Sequence, residues 1–128
     1  MEEYDKIFRF RSFPVYKMAR EFCKELKDFS GRKFPKIEQY SLLSQLWRAL
    51  DSIVLNIAEG TDRGTDKDFA HFLNISNTSL NEVVACLDVA CDYQYITVQE
   101  RDEYLGKAVL VAKQLTAFRK KLLYEPTK

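Results

Sequence analysis

The chain has 128 residues, which is long enough for one domain to bury its apolar side chains, and its four glycines and three prolines leave little material for a β-rich or disordered chain. Its formal net charge is +1, but residues 1–36 carry +4, residues 37–73 carry −3, residues 74–103 carry −5 and residues 104–128 carry +5. The protein is therefore nearly neutral as a whole, with basic ends and an acidic middle.

The first predicted helix begins after Phe13, at Pro14, because proline is tolerated in the opening turn of a helix. Apolar residues then recur at spacings of three and four, which is typical of one helical face. We expect Ser30-Gly31 to end this helix. The residues before Phe13 and after Glu125 are expected to be loosely held ends.

The second predicted helix starts near Phe34-Pro35 and runs to Gly60, a length of about 24 residues. Its apolar stripe consists of Leu43, Leu46, Trp47, Leu50, Ile53, Val54 and Ile57. We predict that Gly60 ends the helix in the left-handed conformation, which glycine adopts without a steric penalty.

The third and fourth helices are marked by their first residues. Thr65 opens the third, with Asp68 in the place of the usual Glu or Gln of a capping box, and the apolar pattern runs to Ala90. The run DYQYI interrupts it, and Thr97 with Glu100 forms a complete capping box for the fourth helix. Four amphipathic helices with short connections predict an all-α, antiparallel up-and-down four-helix bundle, in a single domain over residues 1–128.

A polar stripe is predicted along the second helix, opposite its apolar residues. It consists of Gln45, Arg48, Ser52, Asn56 and Glu59. One interpretation is a solvated face that ends with the helix. The alternative is a contact with another subunit, because Glu59 in the last turn opposes the helix dipole. Arg63 is the local cation for Glu59, whereas Arg48 is too distant and would need the carboxylate of a neighbouring subunit.

No catalytic site is predicted. A carboxylate acid or base needs a partner in a water-poor cleft, and the segment NIAEG has neither a nucleophile nor a second carboxylate at a diagnostic spacing. His71 lies on a polar line of the third helix, where a hydrogen-bonded structural residue is expected. Most aromatic side chains fall on apolar stripes, and Tyr93 and Tyr95 in the last connection are the exceptions. We expect no enzyme activity and no cofactor.

The three cysteines, Cys23, Cys86 and Cys91, are odd in number and form no CxxC motif, and the chain has one histidine. They are interpreted as small buried hydrophobic residues in a reducing compartment rather than as metal ligands. The longest charge-free apolar run, SIVLNIA, is far shorter than the roughly 20 residues of a membrane span. With no signal-peptide pattern at the start, we expect a cytoplasmic protein that does not enter a membrane.

Nucleic acid is the partner that the charge distribution favours. The first and last helices are neighbours in an up-and-down bundle, so their basic residues would share one side, as in a phosphate-binding surface. The predicted phosphate contacts are Arg20, Lys24, Lys27, Arg119, Lys120 and Lys121. A solvated charged face is the competing interpretation, because Glu21, Glu25 and Asp28 interleave with the basic residues of the first helix.

The segment from Phe34 to Glu82 resembles the signature of a family of small bacterial four-helix bundle proteins that are encoded, among other places, in intervening sequences of large-subunit ribosomal RNA genes. Residues that match the family pattern include Phe34, Pro35, Glu38, Tyr40, Gln45, Arg48, Ser52, Asn56, Glu59, Gly60, Arg63, Phe69, Phe72, Ser79 and Glu82. The chain departs from the pattern at Thr65, where Ser is usual, and at SNTSL, which replaces the common ARGSL.

This resemblance implies a protein without enzyme activity that forms a homopentamer, with the polar stripe as a subunit contact. Relatives include the accessory variability determinant of diversity-generating retroelements, which resembles a pentameric barrel, binds nucleic acid and partners a reverse transcriptase. Two hypotheses follow from the resemblance together with the charges. The chain is either an oligomeric adaptor for structured RNA or a ribonucleoprotein, or a scaffold that docks a protein such as a reverse transcriptase.

Overall fold

The computed structural model describes residues 2–125, and within this range the secondary structure is helical, with turns between the helices. The elements are a short helix α1 (Glu3–Ile7), a 3-10 turn (Arg9–Ser12), and four long helices: α2 (Pro14–Lys33), α3 (Leu42–Gly60), α4 (Asp66–Asp92) and α5 (Val98–Tyr124). The predicted all-α bundle is confirmed.

The four long helices pack in an up-and-down order, each against the next in sequence, and α2 also packs against α5. Two ion pairs show that α2 and α5 are antiparallel. Glu25 in the middle of α2 meets Lys107 of α5 at 2.6 Å, and Lys33 at the end of α2 meets Glu100 at the start of α5 at 3.0 Å.

The predicted apolar stripes face a common core. The largest fully buried apolar side chains are Leu26, Leu46, Leu50, Ile53, Ile57, Leu73, Val83, Leu87, Val111 and Leu115. Burial of each such leucine or isoleucine stabilises the fold by about 1.5–3 kcal/mol, so these stripes hold the bundle together. Trp47 is an exception among the predicted core residues, because its side chain lies at the bundle edge and remains 37% exposed.

The predicted caps of α4 and α5 are present. The Thr65 hydroxyl accepts a hydrogen bond of 3.1 Å from the amide of Asp68. At α5, Thr97 accepts from the Glu100 amide at 3.0 Å, and the Glu100 carboxylate accepts from the Thr97 amide at 2.9 Å. Both helices therefore begin where the sequence places them, since these bonds satisfy amides that have no partner inside the helix.

Helix α2 continues past Ser30-Gly31 to Lys33, so the predicted end is too early by about two residues. The Ser30 hydroxyl donates to a carbonyl of the preceding turn at 2.7 Å, which is compatible with continued helix. The helix ends before Phe34 because a residue that precedes proline is forced towards extended backbone, and Phe34 has ψ 137° ahead of Pro35.

Helix α3 begins at Leu42 rather than near Phe34-Pro35, so it has 19 residues instead of the predicted length. The intervening residues form a 3-10 turn, Lys36–Glu38, and a further turn. The Glu38 carboxylate accepts a hydrogen bond from the Leu42 amide at 3.2 Å and thereby caps α3 at its true start.

Gly60 is the last residue of α3 and does not have the predicted left-handed conformation, since no described glycine has a positive φ. Its role is close approach between α3 and α4. A Cβ atom at Gly60 would lie 2.7 Å from Cβ of Phe72 and 2.9 Å from Cδ1 of Phe69. A glycine is required here because any side chain would push the two helices apart.

The segment before Phe13 is more ordered than predicted. The guanidinium of Arg9 donates to the carbonyl of Thr61 at 3.1 Å, which ties the N-terminal segment to the α3–α4 turn. The Phe10 ring meets the Tyr16 ring edge-on with centroids 4.9 Å apart. The other predicted loose end, after Glu125, lies outside the described residues.

Candidate nucleic-acid interface

An open groove of about 610 Å³ lies between the outer side of α2 and the middle of α3. Its cations are Lys17, Arg20, Lys24 and Lys27. They are spaced by three, four and three residues, which places them on one side of α2 in successive turns. Glu21 and Asp51 also line the groove, so positive side chains outnumber negative ones by two.

The cations of this groove differ in how much of their charge is available. The Nζ atom of Lys27 lies 2.6 Å from the Asp51 carboxylate and 5.4 Å from the centroid of the Trp47 ring. The Arg20 guanidinium lies 5.5 Å from the centroid of the Tyr16 ring and forms no ion pair with a carboxylate of residues 2–125. Among the three predicted contacts in the groove, Lys27 is therefore the one whose charge is already matched.

Arg119, Lys120 and Lys121 lie in the last two turns of α5 and are exposed. Lys121 lines a cavity at the end of the bundle together with Phe13, and Lys120 lines a shallow depression on α5. None of the three lines the α2–α3 groove. The structure thus makes α2 and α5 neighbours as predicted, but divides the six basic residues between two surfaces.

Two ion pairs, Lys107 with Glu25 and Lys33 with Glu100, neutralise cations in the seam between α2 and α5. The hydrogen bond from Lys107 lowers the pKa of Glu25, and the same bond raises the pKa of Lys107. At the other end of the seam, two hydrogen bonds lower the pKa of Glu100. The larger contribution comes from the Thr97 amide and the smaller one from the Lys33 ammonium group. Lys33 and Lys107 are therefore compensated by carboxylates within the bundle.

The predicted polar stripe of α3 divides into a buried and an exposed part. Ser52 and Asn56 are half-buried, and their hydrogen bonds lie within the bundle. The Asn56 amide donates to the Ser52 carbonyl at 2.8 Å, and the Ser79 hydroxyl of α4 lies 2.8 Å from the Ser52 hydroxyl. Ser52 therefore joins α3 to α4, whereas the hydrogen bonds of Asn56 among the described residues stay within α3. Gln45, Arg48 and Glu59 are exposed.

Glu59 has the local partner that its position in the last turn demands. The Arg63 guanidinium lies 2.6 Å from the Glu59 carboxylate, so the predicted local cation is confirmed. Arg63 also lies over the Phe72 ring, 4.6 Å from its centroid. Arg48 forms no ion pair with any residue in the range 2–125.

Glu38 connects two loops, which sequence reasoning did not foresee. Its carboxylate accepts hydrogen bonds from the Ser41 hydroxyl, the Leu42 amide and the Tyr95 hydroxyl. These bonds, with the Ser41 bond the largest contribution, lower the pKa of Glu38. An acidic residue just before the first apolar positions of α3 is the local signal for the cap, but no sequence signal indicates the bond to Tyr95.

The remaining candidates have structural roles or none. His71 is exposed on α4, and its contact in the described structure is the edge of the Phe72 ring at 6.0 Å. Cys23 and Cys86 are buried as predicted, whereas Cys91 is half-buried. Burial raises the pKa of the Cys23 thiol to about 12. No group of three His, Cys, Asp or Glu within residues 2–125 could hold a metal ion.

None of the helices in the described range is both long and apolar enough to cross a membrane.

Comparison with protein families finds a match over residues 11–117 to a model described as 23S rRNA-intervening sequence protein. A crystal structure from Bacteroides thetaiotaomicron VPI-5482, described as a protein with unknown function from the S23 ribosomal protein family, is also similar to the chain. It shares 24% sequence identity, covers 83% of this chain and 98% of its own, and has a TM-score of 0.71, which shows a common fold. The curated proteins give no match.

Proposed function

The chain belongs to the 23S rRNA-intervening sequence protein family, and we propose that it is a non-enzymatic adaptor that binds structured RNA as a homo-oligomer. The proposal places it in the cytoplasm, where RNA is abundant and where thiols such as that of Cys23 are kept reduced.

The observation that carries the proposal is the set of cations without a carboxylate partner. Of the six basic residues predicted to contact phosphate, only Lys27 forms an ion pair among the described residues. Uncompensated cations in successive turns of a helix attract a polyanion, and phosphate contacts position the RNA without reading its sequence. Arg20 and Lys24 provide these contacts in the groove, and Arg119, Lys120 and Lys121 provide a second set on α5.

Binding of a stem–loop RNA across a salt series tests the proposal. If several phosphates are neutralised, the logarithm of the association constant falls linearly with the logarithm of salt concentration, with a slope of about 0.7–0.9 per contact. The variant Lys24→Glu is expected to weaken binding and to reduce this slope by about one. Lys67→Glu is the matched control, because it makes the same change of charge at an exposed position on α4. A flat salt response, or equal effects of the two variants, would contradict the proposal.

The oligomeric part of the proposal rests on Arg48. Its side chain is exposed and unpaired within residues 2–125, one helical turn before Ser52, which joins α3 to α4. In the homopentamer that we propose, Arg48 meets a carboxylate of the neighbouring subunit. Light scattering after size-exclusion chromatography should give a mass near 75 kDa, five times the 15.0 kDa chain. Arg48→Ala should lower this mass while Lys67→Ala leaves it unchanged. An unaltered mass for Arg48→Ala would eliminate the contact.

One observation favours the alternative of a protein scaffold. Leu55 lines the α2–α3 groove and is 64% exposed. An apolar side chain makes no favourable contact with a phosphate. A protein partner with an acidic and apolar surface, such as a reverse transcriptase, would use both Leu55 and the cations. The salt series distinguishes the adaptor from the scaffold, because a scaffold has no measurable affinity for naked RNA. For a scaffold, Leu55→Ser would weaken binding to the protein partner alone.

A further inference from the structure

A second open groove, of about 580 Å³, lies where the connection between α2 and α3 packs on the first turns of α3. One of its walls is the half-exposed ring of Trp47. The Trp47 indole donates to the Ser30 hydroxyl at 3.0 Å, and a Cβ atom on Gly31 would lie 3.4 Å from its Cζ2 atom. The ring is therefore held in one orientation by α2 while part of its surface stays open to solvent.

The same groove contains the most exposed large aromatic side chain of the described structure. Tyr40 is 89% exposed, and its ring contributes little to the stability of the bundle. Lys36 also lines this groove and forms no ion pair within residues 2–125. Exposed aromatic surface beside free cations is the combination that holds unpaired bases of nucleic acids, since every base can stack and every phosphate is negative.

The groove lined by Trp47 and Tyr40 continues into the α2–α3 groove, which is lined by Lys17, Arg20, Lys24 and Lys27. Asp51 lines both, and Lys27 contacts Asp51 as well as the Trp47 ring. From Lys17 to Lys27 the helix rises about 15 Å, which matches about four phosphates of a stacked strand at 3.4 Å each. The row of cations on α2 therefore ends beside the Trp47 ring. This arrangement suits a single strand whose phosphates contact the cations and whose terminal base stacks on the ring.

We propose that the groove formed by Trp47 and Tyr40 binds an unpaired nucleotide of RNA, with the base stacked on these rings. The phosphates that follow it lie along Lys24, Arg20 and Lys17. The inference rests on the proposed RNA binding and narrows its ligand to a single-stranded segment, because bases inside an A-form duplex are not accessible to aromatic side chains.

Trp47 is the only tryptophan of the chain, so its fluorescence reports directly on this groove. The probes are an oligoadenylate of about ten nucleotides, within the usual size of single-strand sites, and an abasic ribose–phosphate chain of the same length. Both carry a terminal dye, so that anisotropy measures binding independently of tryptophan. We expect the oligoadenylate to quench Trp47 on binding, and the abasic chain to bind more weakly without quenching.

The variant Tyr40→Ala tests the second ring without disturbing the core. Stacking on one aromatic ring corresponds to an affinity change of about 5- to 150-fold, so this loss is expected for the oligoadenylate and not for the abasic chain. Tyr124→Ala is the matched control, because Tyr124 is also highly exposed, at 77%, but lies at the end of α5. It should leave the affinity for both probes unchanged.

The outcomes separate the two proposals. Salt-dependent binding of both probes without quenching, and with no effect of Tyr40→Ala, would overturn the nucleotide site and leave the phosphate contacts standing. If the folded protein binds neither probe nor a stem–loop RNA, the proposed function fails and the nucleotide site fails with it. Quenching by an acidic peptide but not by oligoadenylate would assign the groove to a protein and also overturn the inference.

Discussion

The hydroxyl of Tyr95 donates a hydrogen bond of 2.7 Å to the carboxylate of Glu38, and this contact joins the α4–α5 turn to the cap of α3. The two residues are 57 positions apart in the chain. Glu38 accepts from Ser41 and Leu42 through the same carboxyl group, so one side chain organises both connections at this end of the bundle.

The pKa of Glu38 gives this contact a pH dependence. Its folded-state pKa lies below the ordinary value of 4.5, so the stabilisation is complete above pH 4.5 and is lost as the pH falls through the folded-state pKa. We expect Glu38→Gln to lower the urea midpoint at neutral pH and to reduce the pH dependence of that midpoint below pH 4.5. If the urea midpoint of the variant depends on pH below pH 4.5 as that of the unmodified protein does, ionisation of Glu38 does not contribute to the pH dependence of stability.

Substitution of Gly60 should separate the helices that it brings together. Gly60→Ala places a Cβ atom within 3 Å of Phe72 and Phe69, and overpacking of this kind costs about 1–3 kcal/mol of unfolding free energy. Gly106→Ala is the control, because a Cβ atom there meets nothing within 4 Å and alanine favours helix by about 1 kcal/mol. Urea unfolding should therefore shift in opposite directions for the two variants. Stabilisation by Gly60→Ala would show that α3 and α4 can move apart without loss.

The capping box of α5 makes a further prediction. Thr97→Ala removes the acceptor of the Glu100 amide and should lower the unfolding free energy by about 1 kcal/mol. Thr116→Ala makes the same substitution at an exposed position inside α5 and should be neutral or slightly stabilising, since alanine has the higher helix propensity. Equal effects of the two variants on thermal unfolding would mean that the cap does not stabilise the helix.

The cysteines should differ in reactivity. Burial raises the pKa of the Cys23 thiol to about 12, and the thiolate is the reactive form, so Cys23 should resist alkylation at neutral pH. Cys91 is half-buried and should be modified first. Mass spectrometry after brief treatment with iodoacetamide, with and without urea, measures the order. Rapid modification of Cys23 in the native protein would show that the α2–α3 interface opens.

The parts of the fold that could be predicted are those set by nearby residues. Periodicity and the caps at Thr65 and Thr97 placed the starts of α4 and α5, because both signals act within one helical turn. The start of α3 was missed because a 3-10 turn and the Glu38 cap separate it from Pro35. The role of Gly60 was missed because its cause lies on another helix, at Phe69 and Phe72.

The candidate site shows the same division. The cations of α2 could be identified by type and spacing, and so could those at the end of α5. Arg20 and Lys24 face the groove with α3, away from Lys121. This placement depends on how α2 is rotated about its axis in the bundle. The exposure of Trp47 also depends on this packing, because a tryptophan on an apolar stripe belongs to the core unless its helix lies at an edge.

The cavity at one end of the bundle, about 640 Å³ in volume, is lined by Phe13 near the start of α2, Gly64 in the α3–α4 turn and Leu122 near the end of α5. The first and last long helices therefore begin and end beside each other, next to an exposed turn that joins the middle pair. A circular permutant that joins the two ends by a flexible linker and opens the chain at Gly64 keeps every contact between long helices. It should fold to the same bundle, with its new ends at the same pole as the old ones.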